Sequence, residues 1–309
     1  MKKLALTVLA LVLILSVACA SATTVGIVQL VQHEALDAAT KGFKDALSAK
    51  MPDVKFDEQN ASGDSANCVT IVSTFVSNGV DLIMANATPP LQAAVSATAD
   101  IPVLGTSVTD YASALGLTEF DGTTGINVSG TTDLAPLDGQ AAMVKELFPD
   151  AKKVGLLYCS AEANSVYQIK TIAGMLADLG FETQEFSFTD SNDIASVVQN
   201  AADSVDVLYI PTDNTCAAAS ETIGNVVIPA KLPVVVGEEG ICRGCGVATL
   251  TISYYDIGYA TGEMAYEILA NGADVSKMPV QSAPQFVKKY NADVAAELGI
   301  TIPEGYTAL

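Results

Sequence analysis

The chain has 309 residues, 50 % of them hydrophobic and only 16 % charged, and 15 Lys and Arg against 35 Asp and Glu give a formal charge of −20. That apolar content excludes a disordered chain, and the negative charge excludes a binder of phosphate backbones or anionic lipid, so no nucleic-acid partner is expected. The length suits two domains of ordinary size.

Residues 1–22 read as a signal peptide: Lys2-Lys3 is the charged start, residues 4–18 are mostly apolar, and Ala18-Cys19-Ala20 and Ala20-Ser21-Ala22 are small-residue cleavage sites. The apolar run is shorter than the ~20 residues of a spanning helix. Ser16-Val17-Ala18-Cys19 also resembles a lipoprotein signal, with Ser where Leu is usual. Soluble export is the favoured reading and lipidation through Cys19 the second; both place the protein outside the cytoplasm. Loss of Lys2 and Lys3 with the leader takes the charge to −22.

The remainder alternates strand and helix. Residues 24–30 form a strand, and residues 34–50 a helix with Leu36, Ala39, Phe43, Ala46 and Leu47 on one face. After a strand at 54–58, Asp64 or Ser65 caps a helix that Asn78-Gly79 ends. A strand at 80–85 leads to a helix opened by Thr88-Pro89, and a strand at 101–104 runs into a polar tip at 105–110. A helix at 139–148 closes the first half, with a boundary near Pro149 set by pattern alone. The second half repeats the scheme: strand 153–158, polar tip 160–165, a helix ended by Gly180, and strand 182–188. A β-branched run at 205–210 stops at Pro211, Thr212-Asp213-Asn214 caps a helix through Val227, and strand 233–236 ends in Gly237-Glu238-Glu239-Gly240. Strand 247–252, a helix at 256–269, a return at 279–285 and a short helix at 292–298 complete the chain. The alternation predicts an α/β fold with a parallel sheet in each half. Right-handed crossovers put all the strand tips on one edge, where open α/β sheets bind ligands.

Enzyme chemistry finds little support. No GxGxxG follows a strand, no phosphate loop or GxSxG elbow is present, and His33 is the only histidine. Glu238 and Glu239, if on a strand, face opposite ways. A non-enzyme without cofactor or resident metal is expected. The tips are more informative. Helix capping explains about half of their polar residues, but not why hydroxyls gather in the first half and acids in the second. Unpaired N–H groups at Thr88, with hydroxyls from Thr106 and Thr109, suit a carboxylate. Asp213 and Glu238 suit an ammonium, and the pair describes an α-amino acid. The chain has no tryptophan on which to stack a sugar ring. Tyr254-Tyr255 reads as an aromatic wall or as hinge packing. Of the cysteines beyond the leader, Cys68 reads as a buried free thiol. Cys159, Cys216, Cys242 and Cys245 lie at tips of the second half, where disulfides are favoured over a four-thiolate zinc site or free thiols.

The segments VGIVQLVQHEALDAATKGFKDAL, NASGDSANCVTIVSTFVSNGVDLIMANATPPLQAA, IPVLGTSVTD, GTTDLAPLDGQ, VGLLYCSAEANS, YIPTDNT and PVVVGEEG resemble the substrate-binding proteins of bacterial ABC transporters, in the tryptophan/tyrosine-binding group. The resemblance covers essentially the whole mature chain. It implies a type I periplasmic-binding-protein fold, two Rossmann-like lobes joined by a three-crossover hinge. Lobe one would be residues 23–150 with 253–278, and lobe two residues 151–252 with 279–309. It further implies hinge closure over an aromatic or large apolar amino acid, delivery to a membrane permease, and a monomer. Carried over by position, Glu34, Thr88, Thr106 and Thr109 line the cleft from lobe one, and Asn164, Ser165, Asp213, Asn214 and Glu238 from lobe two. Cys159, where the group often has asparagine, and the Cys242–Cys245 loop depart from its pattern. A nucleoside or short amide as ligand, or a role presenting ligand to a sensor, are the alternatives.

Overall fold

The computed structural model describes residues 22–309, so the signal-peptide and Cys19 readings lie outside the described residues. Among the described residues no helix is long and apolar enough to cross a membrane.

The first sheet is laid down by β1 (Thr24–Gln29), β2 (Lys55–Asn60), β3 (Leu82–Asn86), β4 (Val103–Val108) and β5 (Val128–Thr132). Between them run α1 (Glu34–Lys50), α2 (Ser65–Asn78), α3 (Thr88–Ala97) and the short α4 (Tyr111–Leu115). Then α5 (Leu137–Leu147) leads to the second set: β6 (Lys153–Cys159), α6 (Ala163–Asp178), β7 (Glu182–Phe188), α7 (Ile194–Ala202), β8 (Val207–Ile210), α8 (Asn214–Ala218), α9 (Ser220–Val227), β9 (Val234–Val236), α10 (Glu239–Gly244) and β10 (Ala248–Thr251). The chain returns through α11 (Tyr254–Asn271) and β11 (Gln281–Ser282), and ends with β12 (Val287–Tyr290), α12 (Ala292–Leu298) and β13 (Thr307–Ala308). One sheet has the order β11-β5-β4-β3-β1-β2 and is parallel throughout. The other has the order β13-β12-β10-β9-β8-β6-β7, with β12 alone antiparallel to β10.

Helices cover both faces of the sheets, which is why β8 and β9 are continuous apolar runs, and β3 apolar up to Asn86, all buried along their whole length. The edge strand β2 keeps Lys55, Gln59 and Asn60 exposed. The two-lobed α/β architecture expected from the sequence is the one observed, with crossings at residues 133–136, 252–253 and 283–286.

Three placements differ from expectation. The helix expected to close the first half, α5, buries Ala141, Met143 and Val144 in a core with Leu156 and Ile172 of the second sheet. An apolar stripe fits either sheet, and only packing chooses. In the C-terminal segment, β11 pairs with β5 of the first sheet before the chain reaches β12. The helix expected from the Thr212 cap through Val227 is two helices broken at Ala219.

The return helix α11 lies against α1 at backbone distance. Gly258 meets the Ala39 carbonyl and Gly42 the Tyr255 carbonyl, each with no room for a Cβ. Glycine here trades helix propensity for close approach. Gly258→Ala therefore has to separate the two helices, and a loss of about 2 kcal/mol or more is expected from overpacking, read as a lower urea midpoint at constant m-value. A midpoint within error of the parent overturns this packing.

Candidate functional site

Parallel strands send every helix start toward one edge, and the two edges face each other across the crossings. The polar tips meet there. His33 Nε2 lies 3.2 Å from Asn214 Oδ1, Thr109 Oγ1 is 3.4 Å from Thr212 Oγ1, and Arg243 Nε donates to Glu34 Oε1 at 3.1 Å. A cavity of about 560 Å³ opens between Pro89, Ser65 and Leu30 on one side and Cys159, Glu162 and Asn214 on the other. A second, of about 240 Å³, lies between Ala35, Tyr254 and Glu238 nearer the hinge.

The residues expected to line the gap divide by what their polar atoms do. Thr88 is buried, and its Oγ1 has no partner. Pro89 and Pro90 follow it, so of the first three residues of α3 only Thr88 carries an N–H. The expected row of helix donors thus shrinks to one amide and one hydroxyl. Thr106 turns to the other face of its sheet, where its hydroxyl meets Thr131 and, through it, Thr261 of α11. Its neighbour Ser107 takes its place at a β-bulge between Gly105 and Val108, with a buried, unpartnered Oγ. Thr109 donates to Asp133 Oδ1 at 3.0 Å. Tyr254 Oη donates to Asp133 Oδ2 at 3.0 Å, so Tyr254 packs in the hinge. Tyr255 donates to Asp45 instead.

Backbone strain gathers at the same tips. Ala87, just before Thr88, has φ 99° and ψ 167°, a region open essentially to glycine alone, and Ser107 has φ 54°. Such residues cost about 1–3 kcal/mol each and mark places where position matters more than comfort.

In the second lobe the acids act first as caps. Asp213 Oδ1 accepts the Cys216 N–H at 2.8 Å and its Oδ2 the Cys159 N–H at 2.7 Å. Glu238 is no strand residue; it caps α10, accepting the Gly240 N–H at 2.6 Å and the Ile241 N–H. Glu239 opens that helix and pairs with Arg243 and Lys289. Each capping carboxylate oxygen retains one free lone pair. Ser165 is fully buried beside Asp213, and its Oγ accepts from Asn164 Nδ2 at 3.2 Å. Sequence reasoning passed over Glu162. Its buried carboxylate receives five donors: the Asn164 Nδ2, the backbone N–H and Nδ2 of Asn214, and the backbone N–H and Oγ1 of Thr215. Both asparagine amides therefore turn their nitrogens to Glu162 and their oxygens away. Asn164 Oδ1 is left buried without a partner. Glu162 sat in the SAEANS tip and Asp133 in GTTDLAPLDGQ, but a single sequence does not distinguish an inward acid from a capping one.

The disulfide and zinc readings are corrected. All five described cysteines are free and buried. Cys159, Cys216, Cys242 and Cys245 pack with Phe186, Ile210 and Val236 as small apolar groups. Among the described residues no cluster of three or more His, Cys, Asp or Glu is arranged to hold a metal. Burial pushes the thiols of Cys68 and Cys159 up to about 11.

Comparison with known proteins adds the following. Residues 24–308 match a family model described as ABC transporter substrate binding protein. A tyrosine-binding protein of Clostridioides difficile (strain R20291) is 37 % identical over 278 residues, 89 % of this chain and 80 % of that one. The crystal structure of an ABC domain of Streptococcus pneumonia in complex with L-Trp superposes with a TM-score of 0.88 at 33 % identity, covering 94 % of this chain and 100 % of that one. A ligand-free, open structure of a Clostridium difficile substrate-binding protein with adhesive properties superposes with 0.70 at 36 % identity, covering 93 % and 99 %.

Burial lifts three carboxyls far above the usual carboxylate range: Asp133 to about 6, Glu238 to about 7, and Asp213, which also feels Glu162, to about 7. Unfolded, they titrate near 4. Above about pH 5 these three make the folded chain hold more protons than the unfolded one, and stability falls as pH rises from there to about pH 7; the carboxyls of Asp45, Asp121, Glu146, Asp206 and Asp274, lowered by their hydrogen bonds, act in the opposite sense below that window. Within the window His33, lowered by burial, acts in the opposite sense. The melting temperature of the unliganded protein is expected to be at least about 3 °C higher at about pH 5.5 than at about pH 7.5; a flat or rising profile overturns these assignments.

Proposed function

The chain belongs to the ABC transporter substrate-binding protein family, whose members are solute-binding proteins rather than enzymes, and we propose that it is an importer's receptor for an aromatic amino acid held between its two lobes. The carrying observation is the complementarity of three unpartnered buried atoms at the facing tips. Lobe one offers the hydroxyls of Thr88 and Ser107, and lobe two the amide oxygen of Asn164. Hydroxyls can donate to a carboxylate, whereas an amide oxygen can only accept, as an ammonium requires. An α-amino acid carries both groups, and Asp213 beside Asn164 supplies the countercharge.

The named ligands of the relatives, tyrosine and L-Trp, supply the aromatic side chain. At nearly equal identity the chain superposes better on the L-Trp complex than on the open form, which supports reading this conformation as the closed state. A ligand that touches both lobes favours that state by its differential affinity. Lobe one is taken as residues 22–132 with 254–282, and lobe two as 137–251 with 287–309, following the sheets. The protein works outside the cytoplasm as a monomer and hands its ligand to a membrane permease.

A thermal-shift screen of the twenty amino acids is expected to single out aromatic ones, since ligand at ~100 times its dissociation constant adds ~2.7 kcal/mol. Calorimetry of Thr88→Val and Asn164→Leu is expected to show affinity about 10-fold weaker in each, from one lost buried hydrogen bond apiece. Parental affinity in both variants, or a screen without an aromatic hit, overturns the reading.

A further inference from the structure

His33 is absorbed by none of the roles above. It sits at the start of α1, at the carboxyl end of β1, one strand over from Thr88 in the sheet order. Its two ring nitrogens differ sharply: Nε2 faces Asn214 Oδ1 across the gap at 3.2 Å, and Nδ1 is buried with no partner.

A chain of hydrogen bonds fixes the proton on this ring. Glu162 accepts from Asn214 Nδ2 at 2.7 Å and from the Asn214 backbone N–H at 3.1 Å. Turning the Asn214 amide over would face its oxygen to a carboxylate, so Oδ1 must point at His33. An amide oxygen only accepts, so His33 Nε2 carries the hydrogen. In the neutral ring that leaves Nδ1 as a bare lone pair. Burial, which lowers the His33 pKa, keeps the ring neutral.

From this geometry we infer that His33 Nδ1 reads the side-chain end of the ligand, accepting a hydrogen bond from an indole N–H or a phenol O–H, and that Asn214 and Glu162 are positioning residues which hold it in the accepting tautomer. The inference rests on the aromatic amino-acid reading and deepens it. The other polar groups of the ligand are already matched: its carboxylate to Thr88 and Ser107, its ammonium to Asn164 and Asp213. A neutral acceptor suits a neutral donor better than it suits an ammonium, which has the buried carboxylates to choose from. Tryptophan and tyrosine each end in such a donor, and phenylalanine does not. An acceptor that is buried and left unpaired penalises the ligand that fails to donate.

Two ligand pairs test this on the unmodified protein: L-Tyr against L-Phe, and L-Trp against β-(3-benzothienyl)-L-alanine, in which sulfur replaces the indole N–H with little added bulk. By calorimetry, the donor-bearing member is expected to bind about 10- to 100-fold tighter in any pair the protein accepts. In His33→Leu that ratio is expected to fall below about 3-fold. Because the chain has a single histidine, ¹⁵N NMR of tag-free protein reads one imidazole directly. It is expected to show the Nε2–H tautomer, with the Nδ1 resonance moving upfield when L-Trp saturates the site. Equal affinities within both pairs, selectivity surviving in His33→Leu, or an Nδ1–H tautomer each overturn the inference while leaving the aromatic receptor standing. Equal weakening of all ligands in His33→Leu assigns the contact to the ammonium and overturns it too. Failure of every aromatic ligand to bind overturns both.

Discussion

One buried carboxylate organises the edge of the second lobe that faces the first. A charge out of water is tolerated only when its lone pairs are filled, and Glu162 is filled by five donors drawn from the start of α6 and the start of α8. Those bonds tie the tip of β6 to the tip of β8. They also decide which way two asparagines point, sending one amide oxygen to His33 and leaving the other without a partner. Removing this single carboxylate would release both amides to rotate, and the acceptor character of the lobe would be lost with them.

The first lobe reaches the complementary condition by different means. Two prolines strip donors from the start of α3, and a bulge brings Ser107 rather than Thr106 to the tip. Both devices require backbone angles that non-glycine residues avoid. Donors are thus few and sharply placed, in a frame stiffened by the close contact of α1 with α11. Asp133, buried between Thr109 and Tyr254, links two of the crossings and so sets where that frame can bend.

Much of this was legible in the residues. Strand runs such as VLYI and VVV, the Asp64 and Asp213 caps and the Gly79 stop act locally, so period and composition reveal them. That the tips bearing Thr88 and Asn164 share one edge was legible because parallel strands send their helix starts the same way. What escaped was decided at longer range. The stripe of α5 fits either sheet, and only the burial of Met143 against Leu156 assigns it. Thr106 and Ser107 exchange faces because of one extra residue in β4. Asp213 and Glu238 were read as acids at the shared strand edge, yet their oxygens are partly taken by the backbone, which no spacing rule displays. The cysteines seemed suited to pairing, but their apolar surroundings make them packing groups.

Each lobe has one core face built from continuous chain and another that waits for late residues. Beneath the first sheet, Val25, Phe43 and Leu82 close only on Met264, Ala265 and Val275. Beneath the second, Leu156 and Ile172 close on Val294 and Ala295. A chain emerging in order therefore carries two half-covered sheets until residues 264–275, and then 294–295, appear. The first lobe waits for α11 and the second for α12, so neither is sealed by its own continuous stretch of chain.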